Sequence, residues 1–453
     1  MEKLPYSEKL GNGLFSGGNN LLNQFLNTFI LYYFTNVFGL SPAIAGMVIS
    51  FGLIWDGIND PLIATFADNH RFRRGERFRP YMIIISFPLA IVTVLLFTAF
   101  QLPYAMKIVY CLVSYFIFYS LTTLLRLPMY NMMTLATTDL SERLSLNVYS
   151  SGGASIGSIL AGIMLWPMVR AFAGLDPTTS EMVNPQRGFT LGAAVIGLII
   201  IGCSLFYYFN SKERVPVPDE ENRIGIWKSL AILWKNHDFR VNTIFSTLYW
   251  VCNTLSTVIT VYYTQYVLNN SGLTTLVMGC FALGSVVALP FVKKLDIRLG
   301  RRKSMMIGAG LVALAKLIFV PFPRSMVAVM IHAFLLGFSI AINIVMFSMT
   351  RAEVSDIIEH EQGRRLDSMI SNLQGLINKC GTSLTTFAIG IALEVTGYNA
   401  ELLEQPGTVI NMIISLEGWI PLIVALLFVY SASRSTIEKE IAKLRALQQA
   451  VAE

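Results

Sequence analysis

The sequence predicts an all-α membrane protein, and two observations support that prediction. The first is composition: of 453 residues, 54% are hydrophobic and 14% are charged, with a mean hydropathy of +0.57. Soluble domains carry about 25% charged residues. The second is that long apolar runs recur along the whole chain, and a run of about 18 residues can cross a hydrocarbon core of about 30 Å. We therefore expect a lipid bilayer to be the solvent for most of the chain.

Hydropathy predicts about twelve spanning helices. They lie at 12–37, 41–67, 80–100, 107–134, 147–174, 188–210, 239–268, 273–294, 304–322, 325–350, 366–395 and 409–432. The longest polar segment separates the sixth from the seventh, so the chain divides near its centre. We predict a six-helix N-terminal half at 1–210 that holds a cation site, a central cytoplasmic loop at 211–238, a six-helix C-terminal half at 239–435 and a cytoplasmic tail at 436–453.

Basic residues concentrate in the loops on one side of the predicted membrane. The segments "DNHRFRRGERFRP" and "KKLDIRLGRRK" follow the second and eighth spans, whereas loops 38–40 and 268–276 contain no Lys or Arg. Loops rich in these residues face the cytoplasm, so we expect both termini there. The net charge of +6 then reflects topology and not nucleic-acid binding. Short loops favour the inner membrane of a bacterium, and we expect a monomer.

The two basic loops also form an internal repeat. Each follows the second span of its half, with Asp68 before Arg74 in the first and Asp296 before Arg301 in the second. Two six-span halves joined by a loop are the architecture of a major facilitator transporter, in which the substrate binds near the midplane. The chain contains no Gly-rich nucleotide-binding motif. We therefore expect a secondary transporter without a cofactor, and not an enzyme.

Two aspartates interrupt the second apolar span, in "FGLIWDGINDPLIATFA". Asp56 and Asp60 are four residues apart and share a helix face, which Asn59 borders. Two carboxylates this close cannot both stay ionised in a dry site unless a positive charge joins them. A coupling cation held by their oxygens is the interpretation that we favour. A shared proton and a salt bridge to Lys379 in the eleventh span are the alternatives.

One arginine, Arg126, lies inside the fourth span, in "LTTLLRLPMYNMM". Its rigid fork of donors matches carboxylate, phosphate or sulfonate groups, so we predict contact with an anionic substrate. Pairing with Asp56 or Asp60 is the alternative. Other polar and aromatic residues in the spans suit sugar binding as well as packing between helices. They are Asn19, Asn20, Asn23, Tyr32, Tyr33, Tyr130, Tyr149, Ser150, Ser151, Asn253, Tyr262, Tyr263, Tyr266, Gln374 and Asn378.

Four further ionisable residues lie in apolar spans, near the span ends. We expect Lys316, Glu394 and Glu417 to extend toward the membrane surface, as long charged side chains do. His332 is expected to be a hydrogen-bonded histidine at the membrane interface.

The basic loops also predict a cytoplasmic gate. Pairs between their arginines and acids on the same side of the membrane would hold an outward-facing state, and topology alone is the alternative reason for the basic charge. The arginines are Arg74, Arg77, Arg301 and Arg302, and the acids are Glu353, Asp356 and Glu359.

Five segments of the chain are distinctive: "ILYYFTNVFGLS", "IWDGINDPL", "RRGERFRP", "LPMYNMM" and "LDSMISNLQGLINKCGTSL". Together they resemble the glycoside–pentoside–hexuronide:cation symporter family of the major facilitator superfamily, over nearly the whole chain. The resemblance implies a cation site of Asp56, Asn59, Asp60, Thr123 and Lys379, and coupling to Na⁺, Li⁺ or H⁺. The oxygens of the Asn and Thr favour Na⁺, because a proton would not need them.

The sugar-binding positions that this resemblance implies depart from the family pattern. Asn20 and Arg126 stand where the family's galactoside carrier has aspartates, Ser151 replaces an arginine and Tyr130 replaces a tryptophan, while Gln374 matches. The loss of two acids favours an anionic solute, such as a hexuronide, a glycoside acid or a sulfonated sugar. The predicted substrate residues are Asn20, Arg126, Tyr130, Tyr149, Ser151, Gln374, Asn378 and Lys379.

The expected function is therefore Na⁺-coupled symport of an anionic, sugar-like solute by alternating access. Proton-coupled symport of a neutral glycoside and a lysolipid carrier of the same superfamily are the alternatives. A non-transporting sensor is a third, and the retained cation-site residues argue against it.

Overall fold

The computed structural model describes residues 4–69, 72, 76, 78–137, 139–177, 182–214, 233–362, 367–402 and 404–443. Within these ranges the regular secondary structure is helical, apart from one antiparallel bridge between Leu175 and Met182. The all-α prediction is confirmed. Helices suit a bilayer because they satisfy their backbone hydrogen bonds internally.

The helices follow the apolar runs. Before the central loop the described residues form α1 (Tyr6–Tyr32, continued by a π-helical turn at Tyr33–Val37), α2 (Pro42–Asn69), α3 (Tyr81–Leu96), α4 (Tyr104–Leu135), α5 (Leu140–Ala173) and α6 (Pro185–Asn210). After it they form α7 (His237–Tyr266), α8 (Leu273–Leu299), α9 (Arg301–Phe319), α10 (Met326–Gln362), α11 (Asp367–Val395), α12 (Gly407–Glu417) and α13 (Trp419–Ser433).

Many of these helices can cross a membrane. Among the described residues, nine helical segments are long and apolar enough, one of them running from Gly407 to Lys443, and α3 is a shorter apolar helix. The chain is a multi-pass membrane protein, as predicted. The exact number of twelve spans stays a prediction.

The chain folds into two compact units. Unit 1 contains Met1–Asp219, Asn269–Thr275 and Thr386–Pro406; unit 2 contains Glu220–Leu268, Leu276–Thr385 and Gly407–Glu453. The predicted domain boundaries at 210, 238 and 435 stay predictions.

In unit 1, α1 lies against α5 with almost no side chain between them. A Cβ atom at Gly153 would lie 1.9 Å from the Gly13 carbonyl oxygen, and one at Gly157 would lie 2.4 Å from the Gly17 carbonyl oxygen. Only glycine permits that approach, and small residues commonly bring helix backbones together in membranes. The contact fixes α1, whose next turns carry Asn20 and the other polar residues of the first span.

Aromatic rings fill the rest of this interface. Phe29 stacks on Trp166 with ring centroids 5.4 Å apart, and Phe189 packs edge-on against Phe29. The Trp166 indole nitrogen donates a hydrogen bond of 2.6 Å to the Ser271 carbonyl, so its one polar atom is satisfied.

In unit 2, the helix of the last predicted span is interrupted. α12 ends at Glu417 and α13 begins at Trp419. Pro421 explains the break, because it has no N–H to donate to the Glu417 carbonyl four residues earlier. The hydrogen bonds on either side are intact, from Gly418 N to the Ile414 carbonyl (2.8 Å) and from Leu422 N to the Gly418 carbonyl (3.0 Å). The missing N–H of Pro421 therefore leaves one buried carbonyl, that of Glu417, in need of another donor.

Candidate functional site

The two aspartates of α2 meet one threonine of α4. Asp56 is buried, with 2% of its surface exposed, and Asp60 is half-buried. The Thr123 hydroxyl lies 3.1 Å from Asp56 Oδ1 and 2.8 Å from Asp60 Oδ1. A hydroxyl has a single hydrogen, so Thr123 can donate to only one of the two carboxylates at a time. Three oxygens thus converge in a buried place.

The position of α2 against α4 follows from the residues beside this cluster. Trp55 stacks on Phe116 with ring centroids 5.2 Å apart and nearly parallel planes. Its indole nitrogen also donates to the Ser120 hydroxyl, at 3.0 Å. The neighbouring residue in the chain is Asp56, so these contacts hold its carboxylate toward α4.

Asn59 adds an amide beside the carboxylates. It is 5% exposed, and its Nδ2 atom has no hydrogen-bond partner among the described residues. Rotation of the amide exchanges its nitrogen and oxygen, so the same place can receive a donor or an acceptor. Carboxylate, hydroxyl and amide oxygens suit a hard cation. Within the described part of the chain, no group of three or more His, Cys, Asp or Glu residues could hold a metal ion, so a cation here would depend on the hydroxyl and the amide as well as on the two carboxylates.

Arg126 lies one turn beyond Thr123 on α4 and is half-buried. Its Nη2 atom donates to Asn23 Oδ1 on α1, at 2.6 Å. Asn23 in turn donates from Nδ2 to the Asn19 carbonyl, at 2.7 Å. The sequence analysis placed Asn23 only among general polar residues, because nothing in the chain indicates which residue of α1 meets α4.

The other predicted substrate residues of unit 1 are more scattered. Asn20 Oδ1 accepts a hydrogen bond of 2.9 Å from the Ser158 hydroxyl on α5. Tyr149 is half-buried and packs edge-on against Tyr6. Ser151 is exposed. Tyr130 lies in α4, but its side chain is outside the described part of the structure.

In unit 2, the predicted residues of α11 contact hydroxyls of α7. Gln374 is 3% exposed, and its Nε2 donates to Thr243 Oγ1 at 3.2 Å. The Asn378 Oδ1 atom lies 3.1 Å and 2.8 Å from hydroxyl oxygens of α7, which belong to Ser246 and Thr247. Lys379 is half-buried. Its predicted link to the aspartates stays a prediction, as does pairing of Arg126 with them.

Only some residues of the predicted cytoplasmic gate lie within the described part of the chain. Arg301 is buried and contacts Asp296 at 2.9 Å and Glu353 at 3.3 Å. Arg302 is exposed, and its backbone N–H bonds the Glu438 carboxylate at 3.0 Å. Asp356 is exposed on α10. Arg74 and Arg77 lie outside the described residues, so gating by this set stays a prediction.

The structure also holds an ion pair that the sequence analysis missed. Lys316 Nζ lies 3.0 Å from Glu417 Oε1, with side chains 0% and 5% exposed. The same ammonium donates to the Glu417 carbonyl at 2.7 Å and to the Ser256 hydroxyl at 2.8 Å. The expectation that both side chains reach the membrane surface was wrong. Pro421 was the available signal, because it predicts an unpaired carbonyl at Glu417.

Two smaller expectations concern His332 and Glu394. His332 is buried, packs against Phe319 with ring planes tilted by 34° and has Nε2 3.6 Å from Glu417 Oε1. That nitrogen has no hydrogen-bond partner among the described residues, and the predicted role of His332 at the membrane interface stays a prediction. The Glu394 carboxylate accepts from the Ala43 N–H at 2.8 Å. Glu394 belongs to α11, and its carboxylate lies beside the first turn of α2, where the helix dipole favours a negative charge.

Comparison with known proteins decides the family. The model of the family described as "MFS/sugar transport protein" matches residues 11–439. The chain belongs to this family. Its members are transporters, so the prediction of a membrane transporter rather than an enzyme is confirmed, and so is the resemblance to glycoside–pentoside–hexuronide symporters.

Curated relatives of this family cover most of the chain. An uncharacterized symporter of Bacillus subtilis, YnaJ, is 27% identical, over 92% of this chain and 88% of its own. The isoprimeverose transporter of Lactiplantibacillus pentosus is 25% identical, over 94% and 88%. A glucuronide carrier protein homolog of Escherichia coli is 24% identical, over 91% and 88%.

Solved structures show the fold alone. A bacterial homolog of the human lysosomal transporter Spinster has a TM-score of 0.70 at 13% identity, and the match covers 97% of this chain and 99% of that one. The major facilitator fold predicted from the sequence is confirmed.

Proposed function

We propose that the protein is a Na⁺-coupled symporter of an anionic, sugar-like solute. The observation that carries the cation half is the contact of one hydroxyl, on Thr123, with both Asp56 and Asp60. Carboxylate and hydroxyl oxygens that converge in this way are the ligands that a hard cation prefers. The buried amide of Asn59 supplies a further oxygen.

Arg126 supports the anionic half of the proposal. Its guanidinium is held by an uncharged amide, and planar donors of this kind recognise carboxylates and sulfonates through paired hydrogen bonds. One relative is named for glucuronide, an anionic sugar derivative, and another for isoprimeverose, a neutral sugar. The charge of the carried sugar therefore differs within the family, and we assign the anionic class here on Arg126.

Coupling then follows from thermodynamic linkage. If Na⁺ raises the affinity for the solute, the solute raises the affinity for Na⁺ by the same factor. Cation binding would favour the conformation that binds the solute. The two predicted six-helix halves would then rock and release the cation and the solute on the other side of the membrane.

The charge of the cargo gives an electrical signature. One Na⁺ moving with one monoanion carries no net charge, whereas one Na⁺ with a neutral sugar moves a full charge, worth about 2.3 kcal/mol per 100 mV. At that stoichiometry, uptake of an anionic solute follows the Na⁺ gradient and is insensitive to the membrane potential. Uptake of a neutral solute would rise with an inside-negative potential.

The first test is Na⁺ binding to the purified protein by calorimetry at fixed pH, beside Asp56→Asn. Saturable heat that disappears in the variant supports the cation site. Absence of Na⁺ heat in the wild type, with proton release or uptake when a solute is added, would favour proton coupling instead.

The second test measures uptake of two sugars into proteoliposomes that contain the protein. The sugars are methyl β-D-glucuronide and methyl β-D-glucoside, and the first has a carboxylate where the second has a hydroxymethyl group. We expect faster Na⁺-dependent uptake of the glucuronide and loss of that preference in Arg126→Gln. Equal preference in Arg126→Gln and the wild type would reject the role of Arg126.

A further inference from the structure

The amide of Asn23 is fixed at both of its ends. Its Nδ2 atom donates to the Asn19 carbonyl at 2.7 Å, and its Oδ1 atom accepts from Arg126 Nη2 at 2.6 Å. A backbone carbonyl only accepts, and a guanidinium only donates. The amide therefore cannot rotate by half a turn without placing two donors together and two acceptors together.

This arrangement gives Arg126 a neutral partner with a fixed direction. Asn23 lies on α1, whose backbone is held against α5 by the close contacts at Gly13 and Gly17. The guanidinium is consequently oriented from a rigid element, and a rigid orientation is what paired recognition of a planar anion requires. The amide orients the group without cancelling its charge.

We propose that Asn23 is the positioning residue that sets the charge selectivity of the substrate site. It holds the fork of Arg126 for a carboxylate or sulfonate on the solute, and its lack of charge leaves that attraction undiminished by this partner. The inference rests on the proposed function, because it takes Arg126 to be the group that binds the anion.

Aspartate has nearly the same shape as asparagine, so Asn23→Asp changes chiefly the charge at Oδ1. A carboxylate next to a guanidinium is held in its ionised form, and it would compete with the solute's carboxylate for the same donors. Asn23→Ser is the matched variant. It shortens the side chain and releases Arg126 without adding a charge.

The experiment measures Na⁺-dependent uptake of methyl β-D-glucuronide and methyl β-D-glucoside by the full-length protein in proteoliposomes. The heat of Na⁺ binding, measured by calorimetry and assigned to the site at Asp56 and Asp60, serves as the check that each variant is folded. For Asn23→Asp we expect the glucuronide-to-glucoside ratio of kcat/KM to fall at least about tenfold. For Asn23→Ser we expect a KM for the glucuronide that rises roughly threefold to tenfold, which is more than the KM for the glucoside rises, and a smaller change in kcat.

The outcomes separate this inference from the proposed function. A wild type that prefers the glucuronide, with an unchanged ratio in Asn23→Asp, overturns the role of Asn23 and leaves the anionic cargo in place. A wild type that prefers the glucoside overturns both. If Asn23→Asp gives no Na⁺ heat, Asn23→Ser decides, since a wild-type KM for the glucuronide in that variant overturns the inference.

Discussion

Two buried polar clusters satisfy their charges in opposite ways. In unit 2, Lys316 has three ammonium hydrogens and three acceptors, one on Ser256 and two on Glu417. In unit 1, Asp56 and Asp60 share the single hydroxyl hydrogen of Thr123. The first cluster pairs an ammonium with a carboxylate, whereas the second brings two acids to one hydroxyl. An ion pair held in this way stabilises the fold, and two acids around one hydroxyl are suited to a cation that binds and leaves.

The largest expected effect comes from breaking the ion pair of unit 2. Lys316→Met leaves the Glu417 carboxylate and its carbonyl buried without their ammonium partner, which costs about 3–5 kcal/mol. We expect a marked fall in the thermal unfolding midpoint in detergent. The double variant with Glu417→Leu should recover much of the loss, because it removes the unpaired acid. An unchanged midpoint in Lys316→Met would show that the pair contributes nothing to the fold.

Unlike Lys316→Met, Asp56→Asn should leave the stability of the Na⁺-free protein intact and remove the stabilisation that Na⁺ provides. It removes one of two neighbouring negative charges, so we expect the stability without Na⁺ to be retained or raised. What is lost is stabilisation by the ligand, which for the wild type is about 2.7 kcal/mol at a Na⁺ concentration one hundred times Kd. Unfolding midpoints with Na⁺ and with choline as the replacement cation measure this. A Na⁺-dependent rise that persists in Asp56→Asn would place the cation elsewhere.

Ser256→Ala tests whether every acceptor of Lys316 matters. The substitution leaves one buried ammonium hydrogen without a partner, and hydrogen bonds to charged groups contribute about 1.5–3 kcal/mol. Ser339→Ala is the control, because Ser339 is equally buried and its hydroxyl bonds only the Leu336 carbonyl of its own helix. Equal unfolding midpoints for the two variants would contradict the comparison.

Thr123→Val is expected to give the smallest change, confined to the ligand. Loss of one oxygen should raise the Kd for Na⁺ about tenfold, or about 1.4 kcal/mol, while Thr123→Ser keeps the wild-type affinity. Thr122→Val is the matched control, since that hydroxyl is buried and bonds the Phe118 carbonyl of its own helix. Calorimetry on the three variants decides. A Thr122→Val protein that loses affinity as strongly as Thr123→Val would mean that the effect is not local.

The sequence predicts the fold class well because the bilayer imposes a simple rule on composition. Apolar runs locate the helices, but hydropathy detects only the apolar part of a helix and not its polar extensions. α10 therefore continues to Gln362 beyond the predicted end at 350, where its residues become polar. The last span breaks at Gly418 because Pro421 removes one hydrogen bond, an effect on backbone geometry that an average over apolar residues does not register.

The candidate site could be predicted only where its residues share one helix. Asp56, Asn59 and Asp60 stand out because spacing alone places them together, and the resemblance added Thr123. The contact of Asn23 with Arg126 and the partners of Lys316 were not predicted, since these contacts join residues far apart in the chain. The burial of Lys316 and Glu417 was also predicted wrongly, because a position near a span end does not say whether lipid, water or protein covers a side chain.

The ion pair of unit 2 has a consequence for how the protein is made. Lys316 and Glu417 are 101 residues apart, so at a synthesis rate of roughly 5–20 residues per second the lysine precedes its partner by about 5–20 s. A charged lysine costs about 2.5–3.5 kcal/mol during insertion at the centre of a membrane helix, and less toward its ends. Until α12 is inserted, the ammonium of Lys316 has no carboxylate of Glu417 to pair with and is best placed near the lipid headgroups. Release of the nascent chain before Glu417 emerges would leave a segment that membrane proteases can recognise, and the finished bundle hides that signal.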